Sequence, residues 1–190
     1  MSKNIMIVGV GGQGSILASK LLGNVLLDCG YEIKLSEVHG MSQRGGSVVT
    51  YVKYGEKVYS PIIDKGEADF IVSFEALEAA RWMEYLREGG EIIVNTQQIY
   101  PMPVITGAMQ YPENVIGKLQ RKAKTVAVDA LKLAEEAGNS KAVNTVLMGV
   151  LSNSMDISEK IWTAAIEKTV PSKLLDINRR AFELGKAYKA

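Results

Sequence analysis

Residues 4–14 read NIMIVGVGGQG, an apolar run that ends in a cluster of glycines. Gly9, Gly11 and Gly14 have the spacing G-x-G-x-x-G, which marks the turn between the first strand and the first helix of dinucleotide-binding domains. A short, continuous apolar run is typical of a strand buried on both faces of a sheet. Because residues 13–28 then place apolar side chains at helical spacing, the stretch predicts a strand, a tight turn and a helix.

The remaining chain predicts an α/β fold: a three-layer Rossmann-like domain with a mixed, mostly parallel sheet and a helical C-terminus. Further strands are predicted at about 31–36, 69–74, 91–95 and 124–130. Residues 48–63 alternate around Gly55 and predict a β-hairpin that turns at 54–56. Residues 75–90 predict an amphipathic helix that a glycine pair ends. Three helical segments follow, at about 129–137, 141–154 and 157–188, the last with a break near Pro171.

The composition is that of an ordinary globular protein of 190 residues, 47% hydrophobic and 23% charged. The net charge is +1, from 22 basic and 21 acidic residues, which gives no electrostatic footprint for nucleic acid or an anionic membrane. No apolar run approaches the roughly 20 residues that span a bilayer. No repeat or linker interrupts the pattern, so we expect a single domain over residues 1–190. The first predicted strand begins within a few residues of the N-terminus, and we therefore expect a cytoplasmic protein without a signal peptide.

Cys29 is the only cysteine and His39 the only histidine. One cysteine excludes an internal disulfide, and it excludes an iron–sulfur cluster held by this chain alone, since such clusters take about four thiolates. One histidine argues against a zinc site. We interpret Cys29 as a small apolar core residue, and His39 as a structural or interface group more readily than as a catalytic acid or base.

The glycine turn has the properties of an anion site. Glycines let backbone N–H groups approach a ligand closely, and the helix that follows directs the positive end of its dipole to the same point. We therefore predict that Gly11, Gly12, Gln13 and Gly14 cradle a phosphate, with the Gln13 amide adding a hydrogen bond. The alternative is a turn that only packs a strand against a helix or docks a partner. For NAD, Glu37 lies 23 residues after Gly14 and is the candidate for the ribose hydroxyls.

A second motif follows the predicted second strand, EVHGMSQRGGSV at residues 37–48. With GVGGQG at 9–14, it resembles the gamma-type subunit of the 2-oxoacid:ferredoxin oxidoreductases, and it is most similar to the beta subunit of the indolepyruvate enzymes. The resemblance covers essentially the whole chain. It implies a required but non-catalytic subunit of an enzyme that oxidatively decarboxylates a 2-oxoacid, here an arylpyruvate such as indolepyruvate, to an acyl-coenzyme A, carbon dioxide and reduced ferredoxin.

The same resemblance implies where the cofactors lie. Thiamine diphosphate and the iron–sulfur clusters would belong to a larger partner subunit, with ferredoxin reached through the complex, and this chain would hold the phosphates of coenzyme A at its glycine turn. The single cysteine agrees with that division, and no GDG-type diphosphate motif is present. We expect a heterodimer with the larger subunit, or a dimer of that heterodimer, docked through exposed apolar surface in the 36–63 region.

Two further residues are candidate cofactor-binding groups. The fork of Arg44 suits a phosphate or a carboxylate, and an interface ion pair with the larger subunit is an equal alternative. Asn144 begins an apolar, helix-like run and either faces the glycine turn or caps its helix. Ser36 and Ser47 stay open between ligand binding and loop capping. We assign no catalytic residue and no metal ligand. The competing hypotheses are a free-standing NAD(P)-dependent oxidoreductase and a nucleotide-binding scaffold domain.

Overall fold

A computed structural model describes residues 2–40 and 45–189. Its six strands form one sheet in the order β2-β3-β1-β4-β5-β6. The strands are β1 (Lys3–Val10), β2 (Glu32–His39), β3 (Ser47–Gly55), β4 (Ala68–Ser73), β5 (Leu86–Asn95) and β6 (Lys124–Val128). The α-helices are α1 (Ser15–Asp28), α2 (Ala76–Trp82), α3 (Met102–Ile105), α4 (Val115–Gln120), α5 (Ala130–Ala137), α6 (Val143–Ser152), α7 (Glu159–Thr169) and α8 (Leu175–Ala187). Short 3₁₀ turns cover Met83–Tyr85, Ser140–Ala142 and Ser172–Leu174.

The sheet is mixed because β3 runs against both of its neighbours, while β1, β4, β5 and β6 are parallel. The alternating side chains of β1 explain the layers: Ile5 and Ile7 join one apolar cluster, and Met6 and Val8 join the other. The first cluster contains the long helices α1, α6 and α8, and the second contains α2 and α4. The predicted three-layer α/β fold with a helical C-terminus is therefore confirmed. None of the helices within the described ranges is long and apolar enough to cross a membrane.

The hairpin lies at a different place from the one predicted. Instead of turning at 54–56, β3 ends at Gly55 and pairs with β2, which precedes it, with Glu32 opposite Gly55 and His39 opposite Val48. The residues after Gly55 form no strand, since Pro61 lacks a backbone donor and only Val58 and Ile63 are buried among the apolar residues there. The prediction of a mixed sheet was right, but the antiparallel strand that makes it mixed is β3.

The helix predicted over 75–90 is much shorter. It ends at Trp82, and β5 begins at Leu86 rather than at residue 91. The glycine pair at 89–90 lies inside this strand, where the pairing with β4 shifts register between Ala68 and Phe70. A side chain at Gly90 would contact Leu86 and the Ala68 carbonyl oxygen at 2.8–3.0 Å. The glycines thus permit an irregular strand, a role that a sequence pattern does not distinguish from a helix stop.

Helices α6 and α8 cross with their backbones in close contact at Gly149 and Gly185. A methyl group on Gly185 would overlap the carbonyl oxygen of Val146, which is fixed in its helix. We expect Gly185→Ala to lower the free energy of unfolding by about 1–3 kcal/mol, the usual cost of overpacking. The matched control is Gly23→Ala, another helical glycine, where the added methyl makes an ordinary 3.4 Å contact. Thermal melts of the two variants compare them directly, and equal melting temperatures would contradict the prediction.

Candidate functional site

The glycine turn connects β1 to α1 at the carboxyl edge of the sheet. Gly12 and Gly14 have backbone φ angles of 103° and 90°, which side chains rarely adopt. The turn is tied to the start of β3, since the N–H of Gly11 donates to the Gly46 oxygen at 2.8 Å and the N–H of Gly45 donates to the Gly11 oxygen at 3.2 Å. Gly11 therefore uses both of its backbone polar groups inside the protein.

Apart from the Gln13 N–H, which donates to the Val10 oxygen at 3.2 Å, the N–H groups that follow have no such partner within the described ranges. Among the residues that the structure describes, no backbone acceptor receives the N–H groups of Gly12, Gly14, Ser15 or Ile16. No side chain caps helix α1, which begins just after Gly14. Four unpaired donors at the positive end of a helix of 14 residues favour an anion.

The Gln13 side chain is committed to the turn itself. Its Oε1 accepts from the N–H of Val10 at 2.7 Å, and its Nε2 donates to the Phe74 oxygen at 3.0 Å and to Gln97 Oε1 at 3.3 Å. Both N–H bonds of the amide are therefore used. This geometry makes Gln13 a residue that positions the turn, and it does not support the predicted hydrogen bond to a phosphate.

Two amides fix the direction of a third. The N–H of Ala130 donates to Asn95 Oδ1 at 3.1 Å, which orients the buried Asn95 amide so that its Nδ2 faces Gln97 Oε1 at 3.4 Å. The Nε2 of Gln13 faces the same oxygen. Because both neighbours donate to the Gln97 oxygen, its Nε2 is turned away from them, and Gln97 lines the cleft beside the glycine turn.

Asn144 faces the glycine turn, one of the two positions that the sequence left open. Its side chain is 3% exposed, and its Nδ2 lies 3.3 Å from where a β-carbon on Gly14 would stand. Its Oδ1 accepts from the N–H of Thr145 at 2.8 Å, and Thr145 in turn donates to Asn178 Oδ1 at 2.6 Å. No acceptor for Asn144 Nδ2 lies among the described residues, so a buried amide directs an unused donor at the turn.

These groups surround one cleft of about 480 Å³, named here the donor cleft, which is the larger of the two clefts at the glycine turn. It is lined by Gly12, Gln13, Gly14, Leu17, Gln97, Leu131, Ser140, Lys141, Val143 and Asn144. The lining contains no acidic side chain and one cation, Lys141, which makes no ion pair with any described residue. A cleft that offers backbone, amide and ammonium donors without a carboxylate is complementary to a phosphate or diphosphate.

Glu37 and His39 lie on the other side of the turn, in a second cleft of about 280 Å³ that shares Gly12 with the first. The Glu37 carboxylate accepts from Thr50 Oγ1 at 3.3 Å, and His39 Nδ1 lies 2.9 Å from the Gly40 oxygen. The structure therefore brings Gly12, Gly14 and Asn144 together in the larger cleft, and it places Glu37 in the other cleft, apart from Gly14 and Asn144.

The strand order bears on the NAD hypothesis. An NAD site needs its acidic residue at the end of the strand beside β1. Here antiparallel β3 lies between β1 and β2, which sets Glu37 two strand spacings, or roughly 10 Å, away from β1. The sequence separation of 23 residues thus matches the fingerprint while the topology does not.

The other candidate residues divide as follows. The prediction for Arg44 concerns a residue outside the described ranges. Ser47 donates to Glu78, a buried carboxylate at the start of α2, so its hydroxyl anchors β3. Ser36 lies in β2, away from the larger cleft. Cys29 is half-buried at the end of α1 rather than in the core, and burial, with a smaller effect from Asp28, raises the pKa of its thiol.

Gln13→Ala tests the positioning role. The substitution removes the partner of the Val10 N–H and one of the two donors to the Phe74 oxygen, which keeps Asn95 Nδ2, and we expect the free energy of unfolding to fall by about 1–3 kcal/mol. A ligand donor at the rim of a cleft would cost little stability when removed. Denaturant unfolding measures the difference, with Gln98→Ala, an exposed glutamine in the connection after β5, as the control. Equal stability of the two variants would contradict a positioning role.

The chain matches the model of the family described as pyruvate ferredoxin/flavodoxin oxidoreductase over residues 4–188. It belongs to this family. It is 46% identical over 188 residues to the indolepyruvate oxidoreductase subunit IorB of Thermococcus kodakarensis, a match that covers 96% of this chain and 93% of that protein. The resemblance seen in the two sequence motifs is thereby confirmed, and the chain is a subunit of a 2-oxoacid:ferredoxin oxidoreductase.

Solved structures share the fold. The pyruvate oxidoreductase subunit PORC of Thermotoga maritima superposes with a TM-score of 0.74 at 24% identity, over 97% of this chain and 94% of that one. A chain of 2-oxoglutarate:ferredoxin oxidoreductase from Magnetococcus marinus, whose structure holds 2-oxoglutarate, coenzyme A and succinyl-CoA, gives 0.75 at 19% identity. That match covers 98% of this chain but 30% of the other, so the same fold there forms one part of a much longer polypeptide.

Sequence reasoning missed Lys141 and Gln97. Gln97 lies in a polar stretch just after a predicted strand, and in an open α/β sheet such positions meet at the carboxyl edge, where ligands bind. Lys141 begins a predicted helix that follows another helix, and no strand end marks it.

Proposed function

We propose that this chain is the small, non-catalytic subunit of an arylpyruvate:ferredoxin oxidoreductase and that it holds the phosphates of coenzyme A. The relative IorB is by name an indolepyruvate oxidoreductase subunit, and at 46% identity over nearly the full length it supports indolepyruvate or a close arylpyruvate as the substrate. Thiamine diphosphate and the iron–sulfur clusters belong, in this proposal, to the larger subunit. The single cysteine of this chain is too few for a cluster.

The observation that carries the coenzyme A part is the chemistry of the larger cleft. The N–H groups of Gly12 and Gly14, the amide donors of Gln97 and Asn144 and the ammonium of Lys141 belong to residues that line it, and no carboxylate does. The diphosphate of coenzyme A matches this set in charge and in its need for donors. In this proposal the cleft anchors the nucleotide end of coenzyme A. The thiol arm of the bound coenzyme is then free to reach the reaction centre in the larger subunit.

Purification of the assembled enzyme tests the proposal. The tagged chain is purified anoxically from its own cells, and the preparation is assayed for iron, thiamine diphosphate and 2-oxoacid-dependent reduction of a viologen dye. We expect a larger chain that carries both cofactors, activity with indolepyruvate well above that with pyruvate or 2-oxoglutarate, and a requirement for coenzyme A. A preference for pyruvate would overturn the substrate class alone.

The NAD(P) alternative makes a different forecast. A free-standing dehydrogenase would bind NADH as an isolated chain, and binding would weaken when Glu37 is replaced by glutamine. Titration of the purified chain with NADH, followed by fluorescence, distinguishes a free-standing dehydrogenase from the proposed oxidoreductase subunit. Saturable NADH binding, with no larger chain in the preparation, would contradict the proposed function.

A further inference from the structure

We propose that residues 97–111, named here the docking segment, form the surface on which the larger oxidoreductase subunit is seated. The inference rests on the proposed function, because it takes the occupant to be the chain that carries the thiamine and iron. The docking segment connects β5 to α4 at the carboxyl edge of the sheet. Its lack of charge is unusual: residues 92–112 contain no charged side chain, whereas surfaces of soluble domains are about one-quarter to one-third charged.

The segment presents large apolar side chains to solvent. Tyr100, Met102, Ile105 and Met109 are 53–66% exposed. These four side chains, called here the patch, lie within residues 100–109, and exposed apolar surface concentrated in one segment is the usual mark of a protein interface. Methionine and tyrosine are enriched at such interfaces, where they supply contact area. With no charge in it, the patch favours an equally uncharged, apolar partner surface, since any charge buried against it would lie unpaired.

The patch is preformed, because buried groups hold both ends of the docking segment. The carboxylate of Glu75, which is fully buried, accepts from the N–H of Ile99 at 3.1 Å and from the Tyr111 hydroxyl at 2.6 Å. Burial and this hydrogen bond raise the pKa of Tyr111, so the hydroxyl remains a donor. The backbone carbonyl oxygen of Gln97 accepts from the Ala76 N–H at 3.0 Å. A surface held in one conformation has less entropy to lose on binding.

The position of the segment identifies the occupant. Gln97 belongs both to the docking segment and to the lining of the donor cleft, so a chain seated on the segment also covers the rim of the cleft. A ligand anchored in that cleft reacts in the larger subunit, which must therefore adjoin this edge of the sheet. In the Magnetococcus chain with the same fold, most of the polypeptide lies outside this fold, which is consistent with a large neighbour.

The docking face predicted from the sequence comprises residues 36–63. Among its described residues, Val38 is 50% exposed, and the two most exposed apolar side chains are those of Tyr59 and Ile62. Both follow the end of β3, which pairs Tyr54 with Lys3 and so lies at the amino edge of β1, opposite the donor cleft. A partner seated there would be a full sheet length from the ligand. These two residues therefore provide a matched control surface.

The experiment uses the complex purified with the unaltered chain. Tagged variants Ile105→Lys and Met109→Lys are compared with Tyr59→Lys, which places the same charge at a still more exposed site on the opposite edge. We expect the two docking-segment variants to lose at least tenfold in affinity for the larger chain, measured by anoxic interferometry, while Tyr59→Lys binds like the unaltered chain. Circular dichroism melts of the isolated variants check that each is folded, and Ala108→Lys, a further exposed position in the segment, serves if one is not.

Three results would overturn the inference. Equal binding of the docking-segment variants and the unaltered chain would show that the larger subunit is seated elsewhere, and the proposed function would stand. If sedimentation shows the unaltered isolated chain as a dimer and Ile105→Lys as a monomer that still binds the larger subunit, the segment contacts a second copy. If no thiamine- and iron-bearing chain accompanies the unaltered protein, the proposed function fails and this inference fails with it.

Discussion

Gly12→Ala is expected to raise the KM of the assembled enzyme for coenzyme A by about a hundredfold, which corresponds to about 2.7 kcal/mol of binding free energy. Gly12 has a φ of 103°, and no protein atom lies within 4 Å of the position of an added methyl. Gly12 lines the donor cleft and also the cleft beside Glu37. We expect the methyl group to take up space that a phosphate needs in order to reach the N–H groups of Gly12 and Gly14, and backbone relaxation to turn those donors away.

The matched control for this variant is Gly30→Ala. Gly30 has a φ of 82°, and an added methyl there also meets nothing within 4 Å, but it follows the far end of helix α1. Both variants pay a backbone cost of about 1–2 kcal/mol in the free energy of unfolding, because both force alanine into a left-handed conformation. Only Gly12→Ala is expected to change the KM for coenzyme A. An unchanged KM in that variant would remove the glycine turn from the ligand site.

Lys141→Glu is expected to weaken coenzyme A binding by about ten- to a hundredfold, because it replaces an attractive charge with a repulsive one. The lysine is exposed, lines the donor cleft and has no ion-pair partner within residues 2–40 and 45–189. Its loss should leave the free energy of unfolding within about 0.5 kcal/mol of that of the unaltered chain. The KM for coenzyme A is measured at several ionic strengths, and the difference between variant and unaltered enzyme should shrink as salt screens the charge.

Lys118→Glu is the corresponding control. Lys118 is also exposed and lies in α4, on the opposite face of the sheet from α5 and α6. The substitution Lys118→Glu makes the same change in net charge as Lys141→Glu, but far from the donor cleft. If Lys118→Glu raises the KM for coenzyme A as much as Lys141→Glu does, the effect is one of total charge, and Lys141 is not a ligand-binding residue.

The layers of the fold could be predicted because each depends on a local pattern. The apolar run 4–10 and the helical spacing of residues 13–28 lie within one stretch of chain, so their burial was readable from periodicity. The hairpin was misplaced because the choice between pairing β3 with β2 or with residues 57–63 depends on Pro61 and on packing across the sheet. The glycine pair at 89–90 was misread because a helix stop and an irregular strand use glycine for the same conformational reason.

The candidate site was predictable only where it is contiguous. The glycine turn is a single motif, and Asn144 was singled out as a polar residue on an apolar helix. Lys141 and Gln97 reach the cleft from segments more than 40 residues apart, and no local pattern relates them. The role of Gln13 depended on knowing that Phe74 and Gln97 lie beside it, which is information that only the folded chain holds.

A structure of the assembled oxidoreductase with coenzyme A bound, by cryo-electron microscopy or crystallography, tests whether the donor cleft holds the diphosphate. We expect phosphate oxygens within hydrogen-bond distance of the Gly12 N–H and of the Lys141 and Asn144 side chains. Phosphates bound entirely by the larger subunit, or in the cleft beside Glu37, would contradict it.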